Sequence, residues 1–449
     1  MSAVAELTPK RESAAPMLLE ELLVEQGQLR TAVTVFSEWH KSEPEMAGHY
    51  RQLIPMAKPV RGEQYAFEVK LDECTGCKAC VAACHSLNGL DEDESWRDVG
   101  ALMTRQAPAY QQTVTTACHH CEDPACANGC PVLAYVKDAE TGIVRHLDDQ
   151  CIGCSYCMLK CPYEVPKFNL RLGIVRKCDM CSARLAEGEA PACVQACPNG
   201  AIGIQIVPRE VDWSGEQLLP GTVTNDYTRP TTRYVSNQPL PVCAVSADAE
   251  TLRVEHTHWP LVVMLVLTQA ALGLFVVVAL TGSVGMAWLA NGVLQAGLAA
   301  SVLHLGQPLR AWRAFLGWRK SWLSREIMAF GGFAVAGAAV LLGWSAWWAV
   351  FSGAVGVACS IMVYVDTRRP DWSGANTTAR FGGTVLVFAG VGMTLVDGGV
   401  LGWALLAQGG KIGCELWAML RDRTSRFSLM HLEVLRGWVV ARLAGGAGV

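Results

Sequence analysis

Residues 151–162 read CIGCSYCMLKCP, and this stretch decides the fold of the first half of the chain. Four cysteines follow one another with gaps of two, two and three residues, and a proline follows the last one. In loops that wrap iron–sulfur clusters, the first three cysteines of such a run hold one [4Fe–4S] cluster and the fourth reaches a neighbouring one. The spacing therefore predicts a ferredoxin-type loop that serves two clusters.

Three further runs of four cysteines lie around this stretch, and 16 of the 19 cysteines fall between Cys74 and Cys197. The runs are Cys74, Cys77, Cys80 and Cys84; Cys118, Cys121, Cys126 and Cys130; Cys151, Cys154, Cys157 and Cys161; and Cys178, Cys181, Cys193 and Cys197. Each run supplies four thiolates, so together they predict four [4Fe–4S] clusters. The isolated Cys243, Cys359 and Cys414 are expected to be small buried side chains.

Two other uses of cysteine fit the sequence less well. A disulfide scaffold belongs to small secreted domains, whereas acidic residues stand where an N-terminal signal peptide would have its apolar core. Structural zinc sites use two Cys-x-x-Cys pairs separated by a longer loop, and only the fourth run approaches that pattern. A zinc-binding membrane protein remains an alternative, and it would be colourless where an iron–sulfur protein is brown.

The chain of 449 residues divides into an acidic part and a basic, apolar part. Residues 1–255 carry a net charge of −11, and residues 256–449 carry +7. This distribution excludes a nucleic-acid-binding protein, which needs a basic soluble face. The 51% hydrophobic content excludes a chain that is disordered throughout.

The same patterns predict four regions. They are a helical extension over residues 1–66, a four-cluster domain over 67–210, an extended connector over 211–257 and a membrane anchor over 258–449. The extension has apolar residues at helical spacing, which fits a helix packed on its own domain and a docking arm for a partner equally well.

The anchor contains six apolar stretches, each near the length of about 20 residues that a membrane-spanning helix needs. They cover residues 259–281, 284–304, 326–344, 346–365, 379–396 and 398–419. The loops after the second, fourth and sixth stretches are rich in Arg, whereas the loops after the first, third and fifth hold no Lys or Arg. The basic loops are on the side that also carries the cysteine domain. The positive-inside rule therefore predicts an inner-membrane protein whose cysteine domain faces the cytoplasm.

Haem is not expected in this anchor. A bis-histidine haem needs two histidines within the membrane, and His304 is the only one inside the predicted spans.

Long segments of both halves resemble subunits of the dimethyl sulfoxide reductase family of molybdopterin oxidoreductases. The stretches VKLDECTGCKACVAACHSLNG (69–89), CHHCEDPACANGCP (118–131), CIGCSYCMLKCPYEVPKFN (151–169) and RKCDMCSARLAEGEAPACVQACPNGAI (176–202) resemble the four-cluster electron-transfer subunit. The stretches HTHWPLVV (256–263), SVLHLGQPLRAWRAFLGWRKSWLSREI (301–327) and VYVDTRRPDW (363–372) resemble the membrane anchor subunit. The sequence thus looks like a fusion of two subunits.

The resemblance implies a fold and a pairing of the cysteine runs. The fold is an α+β double ferredoxin-like domain followed by an all-α transmembrane bundle of about six helices, where the family anchor usually has eight. The implied ligand sets are set 1 (Cys74, Cys77, Cys80, Cys197), set 2 (Cys84, Cys178, Cys181, Cys193), set 3 (Cys118, Cys121, Cys126, Cys161) and set 4 (Cys130, Cys151, Cys154, Cys157). Some relatives have Trp in the third run and a three-iron cluster, whereas Cys157 predicts four irons here.

At the membrane end, the resemblance implies a site for menaquinone or ubiquinone. His304 and Glu326 match anchor residues associated with quinone binding, and Arg310 could polarise a quinone carbonyl. An imidazole and a carboxylate at the membrane edge can accept the protons that a quinol releases. The alternatives are a packed interfacial histidine for His304 and a carboxylate that favours a helix dipole for Glu326.

These features predict a non-catalytic electron-transfer and membrane-anchor subunit. It would pass electrons between the quinone pool and a separate molybdopterin-containing subunit, in a complex of the sulfite-oxidising or S-/N-oxide-reducing type. The lipid bilayer and that catalytic subunit are the expected partners. The alternative is a membrane-tethered iron–sulfur redox sensor or regulatory adaptor, which needs one exposed cluster rather than four in line.

Overall fold

The computed structural model describes residues 50–104, 109–210, 216–249, 258–369, 372–397 and 401–421, together with positions 38 and 48. The predicted helical extension over 1–66 therefore lies mostly outside the described residues. Within them the protein forms a cysteine-rich α+β part followed by a helical part.

The first part is built from short strands and helices between the cysteine runs. Its strands are β1 (Glu63–Lys70), β2 (Asp98–Met103), β3 (Gln111–Thr116), β4 (Tyr135–Lys137), β5 (Val144–His146), β6 (Lys167–Asn169), β7 (Ile174–Arg176), β8 (Ile202–Pro208), β9 (Arg233–Val235) and β10 (Val245–Ser246). Its helices are α1 (Ala79–Asn88), α2 (Ala125–Gly129), α3 (Tyr156–Lys160), α4 (Ser182–Ala186) and α5 (Ala192–Gln195).

Strand β1 is the centre of the largest sheet. It pairs antiparallel with β8, with Phe67 opposite Ile204, and parallel with β9 on its other edge. Phe67 and Ile204 are buried in the same apolar cluster as cysteines of sets 1, 2 and 3. The sheet therefore forms one wall around the cysteine sets.

Residues 211–257, expected as an extended connector, contribute to this first part. Strand β9 extends the central sheet, and β10 pairs antiparallel with β2. The prolines that indicated a linker, Pro220, Pro230 and Pro239, lie outside these strands. Short strands between turns leave too weak an alternating pattern to be predicted from sequence.

The second part contains six long helices in its described residues, as the apolar stretches predicted. They are α6 (Trp259–Thr281), α7 (Val284–Val302), α8 (Trp322–Leu341), α9 (Ala346–Val365), α10 (Gly374–Val396) and α11 (Leu401–Arg421). Within the described residues, α6, α8, α9 and α10 are long and apolar enough to cross a membrane. The expected α+β domain and helical bundle are thus confirmed.

Two helices begin earlier than their apolar stretches. Helix α8 begins at Trp322 rather than residue 326, and α10 begins at Gly374 rather than residue 379. Their first turns contain the polar residues Arg325 and Asn376. A prediction from hydropathy leaves such residues out of an apolar stretch, although the helix includes them. Glu326 therefore lies inside α8, after its first turn.

The two parts meet through close backbone contacts and an ion pair whose lysine is buried. Gly306, after α7, lies so close to Gly173 that a Cβ atom at Gly306 would overlap the Gly173 carbonyl oxygen. Lys160 at the end of α3 donates to the Asp366 carboxylate at 2.5 Å, with the lysine side chain 4% exposed. The Tyr156 hydroxyl donates to the Val363 carbonyl at 2.9 Å.

A methyl group at Gly306 should destabilise this junction. We expect Gly306→Ala to lower the free energy of unfolding by about 1–3 kcal/mol, the usual cost of overpacking, because its neighbour is backbone. Thermal unfolding in detergent measures the effect. Gly285→Ala, whose new Cβ atom would meet nothing within 4 Å in helix α7, should leave the midpoint unchanged or raise it. Equal midpoints for both variants would contradict this account of the junction.

Candidate metal centres

All four cysteine runs share one local backbone feature. The residue immediately before the second cysteine has a positive φ in each run: Gly76 at 74°, His120 at 42°, Gly153 at 68° and Met180 at 60°. Only glycine adopts this conformation without strain, so the two non-glycine residues are held there by their surroundings. The turn curls each Cys-x-x-Cys loop and brings its backbone N–H groups toward the sulfurs.

Some of those N–H groups bind sulfur directly. The Met180 N–H lies 3.3 Å from Cys178 Sγ and the Gly153 N–H lies 3.4 Å from Cys151 Sγ. Further along the sequence, the Ala134 N–H lies 3.2 Å from Cys130 Sγ. Such bonds favour the thiolate form and are among the features that set the potential of an iron–sulfur cluster.

Set 1 lies around a surface cavity that is partly open to solvent and is lined by all four of its cysteines. Burial raises the pKa of the Cys74 thiol, and the charges of Cys197 and Cys77 raise it further. Cys77 is exposed. The first and fourth runs therefore meet at the surface of the domain.

Set 2 is buried more deeply. Burial and the charge of Cys193 raise the pKa of Cys84 to about 12. Burial and Cys193 likewise raise the pKa of Cys181 to about 12. The Cys178 pKa is also raised by burial, with Cys84 as its strongest charged neighbour. Cys84, the fourth cysteine of the first run, therefore lies among the cysteines of the fourth run.

Sets 3 and 4 show the same exchange between the second and third runs. In set 3, burial raises the pKa of Cys121, and Cys118, Cys161 and Cys126 raise it further. In set 4, burial raises the pKa of Cys154, and the charges of Cys130 and Cys151 add to this effect.

The four sets follow one another in a series. Cys80 of set 1 has Cys193 of set 2 among the charges that raise its pKa, after burial. Cys118 of set 3 acts in the same way on Cys178 of set 2. The Tyr135 ring lies between sets 3 and 4, since its pKa is raised by burial and then by the charges of Cys157 and Cys126.

The donor sets fit iron–sulfur clusters better than single ions. None of the 16 cysteines forms a disulfide, and most are buried. In the part of the chain that the structure describes, no three His, Cys, Asp or Glu side chains come together closely enough to hold one metal ion. Metal binding deprotonates the cysteine thiols. A cluster core that contains several iron ions would compensate the negative charges of the buried thiolates.

Set 4 lies against the helical part. Residues 308–315, a short 3₁₀ segment between α7 and α8, place Ala314 in one apolar cluster with Cys130, Cys151 and Cys157. The Gly317 N–H donates to the carbonyl oxygen of Pro131 at 2.8 Å. Set 4 is therefore the end of the series that meets the anchor.

The three predicted quinone residues lie near this end but in different settings. His304 follows α7, and its Nδ1 atom is buried without a hydrogen-bond partner among the described residues. Glu326 is 5% exposed and accepts a hydrogen bond from the Ser360 hydroxyl. Arg310 instead donates to the carbonyl oxygens of Asp148, at 3.1 Å, and Cys151, at 3.3 Å.

Tyr156 is near enough to both Glu326 and set 4 to feel their charges. Its pKa is raised by burial first, and the neighbours that raise it further include both Glu326 and Cys154. Ile327 and Leu305, the residues after Glu326 and His304, pack against the apolar cluster that contains set 4. Sequence patterns indicate none of these contacts.

The comparisons with known proteins follow this division of the sequence. Residues 109–206 match the family of 4Fe-4S dicluster domains, and residues 254–398 match the DMSO reductase anchor subunit (DmsC) family. One subunit of the anaerobic dimethyl sulfoxide reductase of Escherichia coli K12 is 39% identical over 150 residues, which cover 31% of this protein and 72% of that subunit.

This protein belongs to the family of dimethyl sulfoxide reductase electron-transfer subunits. In this family member the iron–sulfur subunit is fused to an anchor, which makes it an iron–sulfur membrane protein. It is also similar to YnfG of Escherichia coli K12, a probable anaerobic dimethyl sulfoxide reductase subunit, at 38% identity over 31% of this protein and 72% of that one. The thiosulfate reductase electron transfer subunit PhsB of Salmonella typhi is 39% identical over 31% of this protein and 74% of that one.

The three isolated cysteines correct the expectation that they are buried. Cys243 and Cys414 are exposed, and Cys359 is half-buried, so none is a fully buried side chain. Cys243 lies in a turn of the segment after β9, and Cys414 lies on the outside of α11. A cysteine's average preference for the interior does not decide a single position.

Cys77 should be the first cluster cysteine to become reactive on oxidation. Its exposure gives oxidant and alkylating reagent access to set 1 before the buried sets. We expect peptide mass spectrometry after graded air oxidation and maleimide treatment to find Cys77 modified first. Cys243, exposed and isolated, should be modified without oxidation. Earlier modification of Cys121 or Cys157 would contradict the placement of set 1 at the surface.

Proposed function

We propose that this protein carries electrons between a molybdopterin-containing catalytic subunit and the quinone pool, through one [4Fe–4S] cluster in each of the four cysteine sets. The domain division that we propose is residues 67–210 for the clusters, extended by β9 and β10 from residues 211–257, and residues 258–449 for the anchor. The observation that carries the proposal is the series of sets, which begins at the exposed Cys77 and ends against the anchor.

Set 1 is the end that suits a protein partner. Its cavity reaches solvent beside Cys77, so a redox centre on a docked subunit can approach it closely. The named relatives are subunits of dimethyl sulfoxide and thiosulfate reductases. For this protein we propose S-oxide or N-oxide reduction or sulfite oxidation as the reaction of the partner.

Set 4 is the end that suits a quinone. His304 offers a buried ring nitrogen that has no hydrogen-bond partner among the described residues, and Glu326 offers a carboxylate beside Tyr156. These groups can bind a quinone oxygen and accept the protons that leave a quinol with its electrons. We assign Arg310 to holding the set 4 loop next to this site, because its guanidinium binds two carbonyl oxygens there.

Replacement of Glu326 tests the membrane end. In membranes that contain the whole complex, a menaquinol or ubiquinol analogue should reduce the clusters, as followed by electron paramagnetic resonance. We expect Glu326→Gln to slow this reduction at least tenfold, because the amide cannot accept a proton, while dithionite still reduces all the clusters.

Asp397→Asn provides the matched control. Asp397 follows the far end of α10 and is exposed, so its loss should leave the rate unchanged. A Glu326→Gln variant that is reduced by quinol as fast as the unaltered protein would remove Glu326 from the proposed site.

The orientation proposed here places the cluster domain in the cytoplasm. Arg313 and Arg369 from two basic loops bind carbonyl oxygens of Asp149 and Leu159 in the cluster domain, so these loops share its side. The positive-inside rule puts such loops in the cytoplasm.

The exposed Cys243 reports this orientation directly. A membrane-impermeant maleimide should not label Cys243 in intact spheroplasts and should label it after lysis, with Cys243→Ser as the negative control. Labelling of Cys243 in intact spheroplasts would place the cluster domain outside and reverse the orientation.

A further inference from the structure

Two cations are buried between neighbouring cysteine sets. Lys177 is 3% exposed and Arg97 is 2% exposed. A charged side chain that has lost its water needs a compensating charge and hydrogen bonds for its donors. Among the described residues, neither cation forms an ion pair with a carboxylate.

Lys177 lies between sets 2 and 3. Its Nζ atom is 3.6 Å from Cys118 Sγ of set 3 and 2.8 Å from the carbonyl oxygen of Cys178 of set 2. It also donates to the carbonyl oxygen of Val144. All three N–H donors of the ammonium are therefore used, and its position between the two sets is fixed.

Arg97 lies between sets 1 and 2. Its guanidinium donates to the Thr115 hydroxyl at 3.2 Å, and that hydroxyl lies 3.6 Å from Cys80 Sγ of set 1. The same group lies 4.7 Å from the centre of the Phe67 ring. One guanidinium nitrogen has no hydrogen-bond partner in the described residues, so hydrogen bonds alone do not explain why the cation is buried.

The charges that face these cations are mostly those of the cysteine sets. Cys193, Cys80, Cys178 and Cys84 surround Arg97. Cys118, Cys126 and Cys178, with Asp179, surround Lys177. The compensating negative charge of both cations is thus supplied mainly by thiolates of sets 1, 2 and 3.

We propose that Lys177 and Arg97 are positioning residues that raise the reduction potentials of the clusters on either side of them. This inference rests on the proposed function, in which each set holds a cluster. An electron that arrives at a cluster adds one negative charge, and a fixed cation a few ångströms away stabilises that reduced form. The electron then passes to the next cluster, and no proton or ligand is exchanged.

The two cations are therefore expected to raise the reduction potentials of the four clusters by unequal amounts. Lys177 favours reduction in sets 2 and 3, and Arg97 favours it in sets 1 and 2. Set 4 lies beside neither of these two buried cations. Its neighbours are Tyr135, the anchor and Arg310, which binds the Cys151 carbonyl oxygen and is only partly buried. The cations therefore keep the middle of the series accessible to electrons that enter from either end.

The test is a potentiometric titration of the complete complex in membranes, monitored by electron paramagnetic resonance. Lys177→Gln keeps hydrogen-bond donors but removes the charge. We expect it to shift the redox equilibrium of two clusters at least tenfold toward the oxidised form, which is about 59 mV for one electron. Lys177→Arg keeps the charge and should shift no cluster by as much as tenfold.

A matched control separates the effect of a buried charge from that of an exposed one. Arg145 is exposed and directly follows Val144, whose carbonyl oxygen accepts a hydrogen bond from Lys177. Its charge is screened by solvent, so Arg145→Gln should leave every potential unchanged.

The outcomes separate this inference from the proposed function. Four-iron signals in the unaltered complex together with unchanged potentials in Lys177→Gln would overturn the inference and leave the proposed function intact. Absence of four-iron signals from the unaltered complex would overturn both. If Lys177→Gln assembles fewer clusters, Arg97→Gln decides, since unchanged potentials in that variant would also overturn the inference.

Discussion

The burial of many thiolates in a small domain is the constraint on which the rest of this structure depends. Burial first, and then the charges of neighbouring cysteines, raise the pKa of thiols such as Cys121 and Cys154, so these sets require a positive core before their thiolates can form together. The surrounding secondary structure is slight, since β4 to β7 have three residues each. Such strands do not hold a fold by themselves, and we therefore assign the order of the cluster domain to its sulfur–iron bonds.

The junction with the anchor determines which end of the series of cysteine sets lies next to the helices. Glycines let the backbones of the two parts touch at Gly306 and Gly317, and the ion pair between the buried Lys160 and the partly exposed Asp366 fixes one arrangement of the two parts. Such a pair adds little net stability, but loss of Asp366 would leave the buried ammonium of Lys160 without its carboxylate. Set 4 is thereby held next to the helices, while Cys77 of set 1 stays at the opposite, exposed end of the series.

Much of this architecture can be predicted from the sequence because cysteine spacing and apolar length are local signals. The cysteine runs indicated ferredoxin-type cluster loops, the family resemblance implied the double ferredoxin-like domain, and the apolar stretches indicated six helices to within a few residues. The connector strands β9 and β10 could not be predicted, because they exist only through pairing with distant strands. Lys177 and Arg97 gave no signal either, since a single cation in a sequence does not reveal whether the fold buries it.

The central claim is that four iron–sulfur clusters form one continuous series from the exposed surface to the membrane anchor. Anomalous scattering measured at the iron absorption edge, on crystals of the complex grown without oxygen, tests it most directly. The account predicts four separate iron centres, one within each cysteine set, with the centre in set 4 lying next to the helices. Fewer than four centres, a single metal ion in any set, or a missing centre in the middle of the series would contradict it.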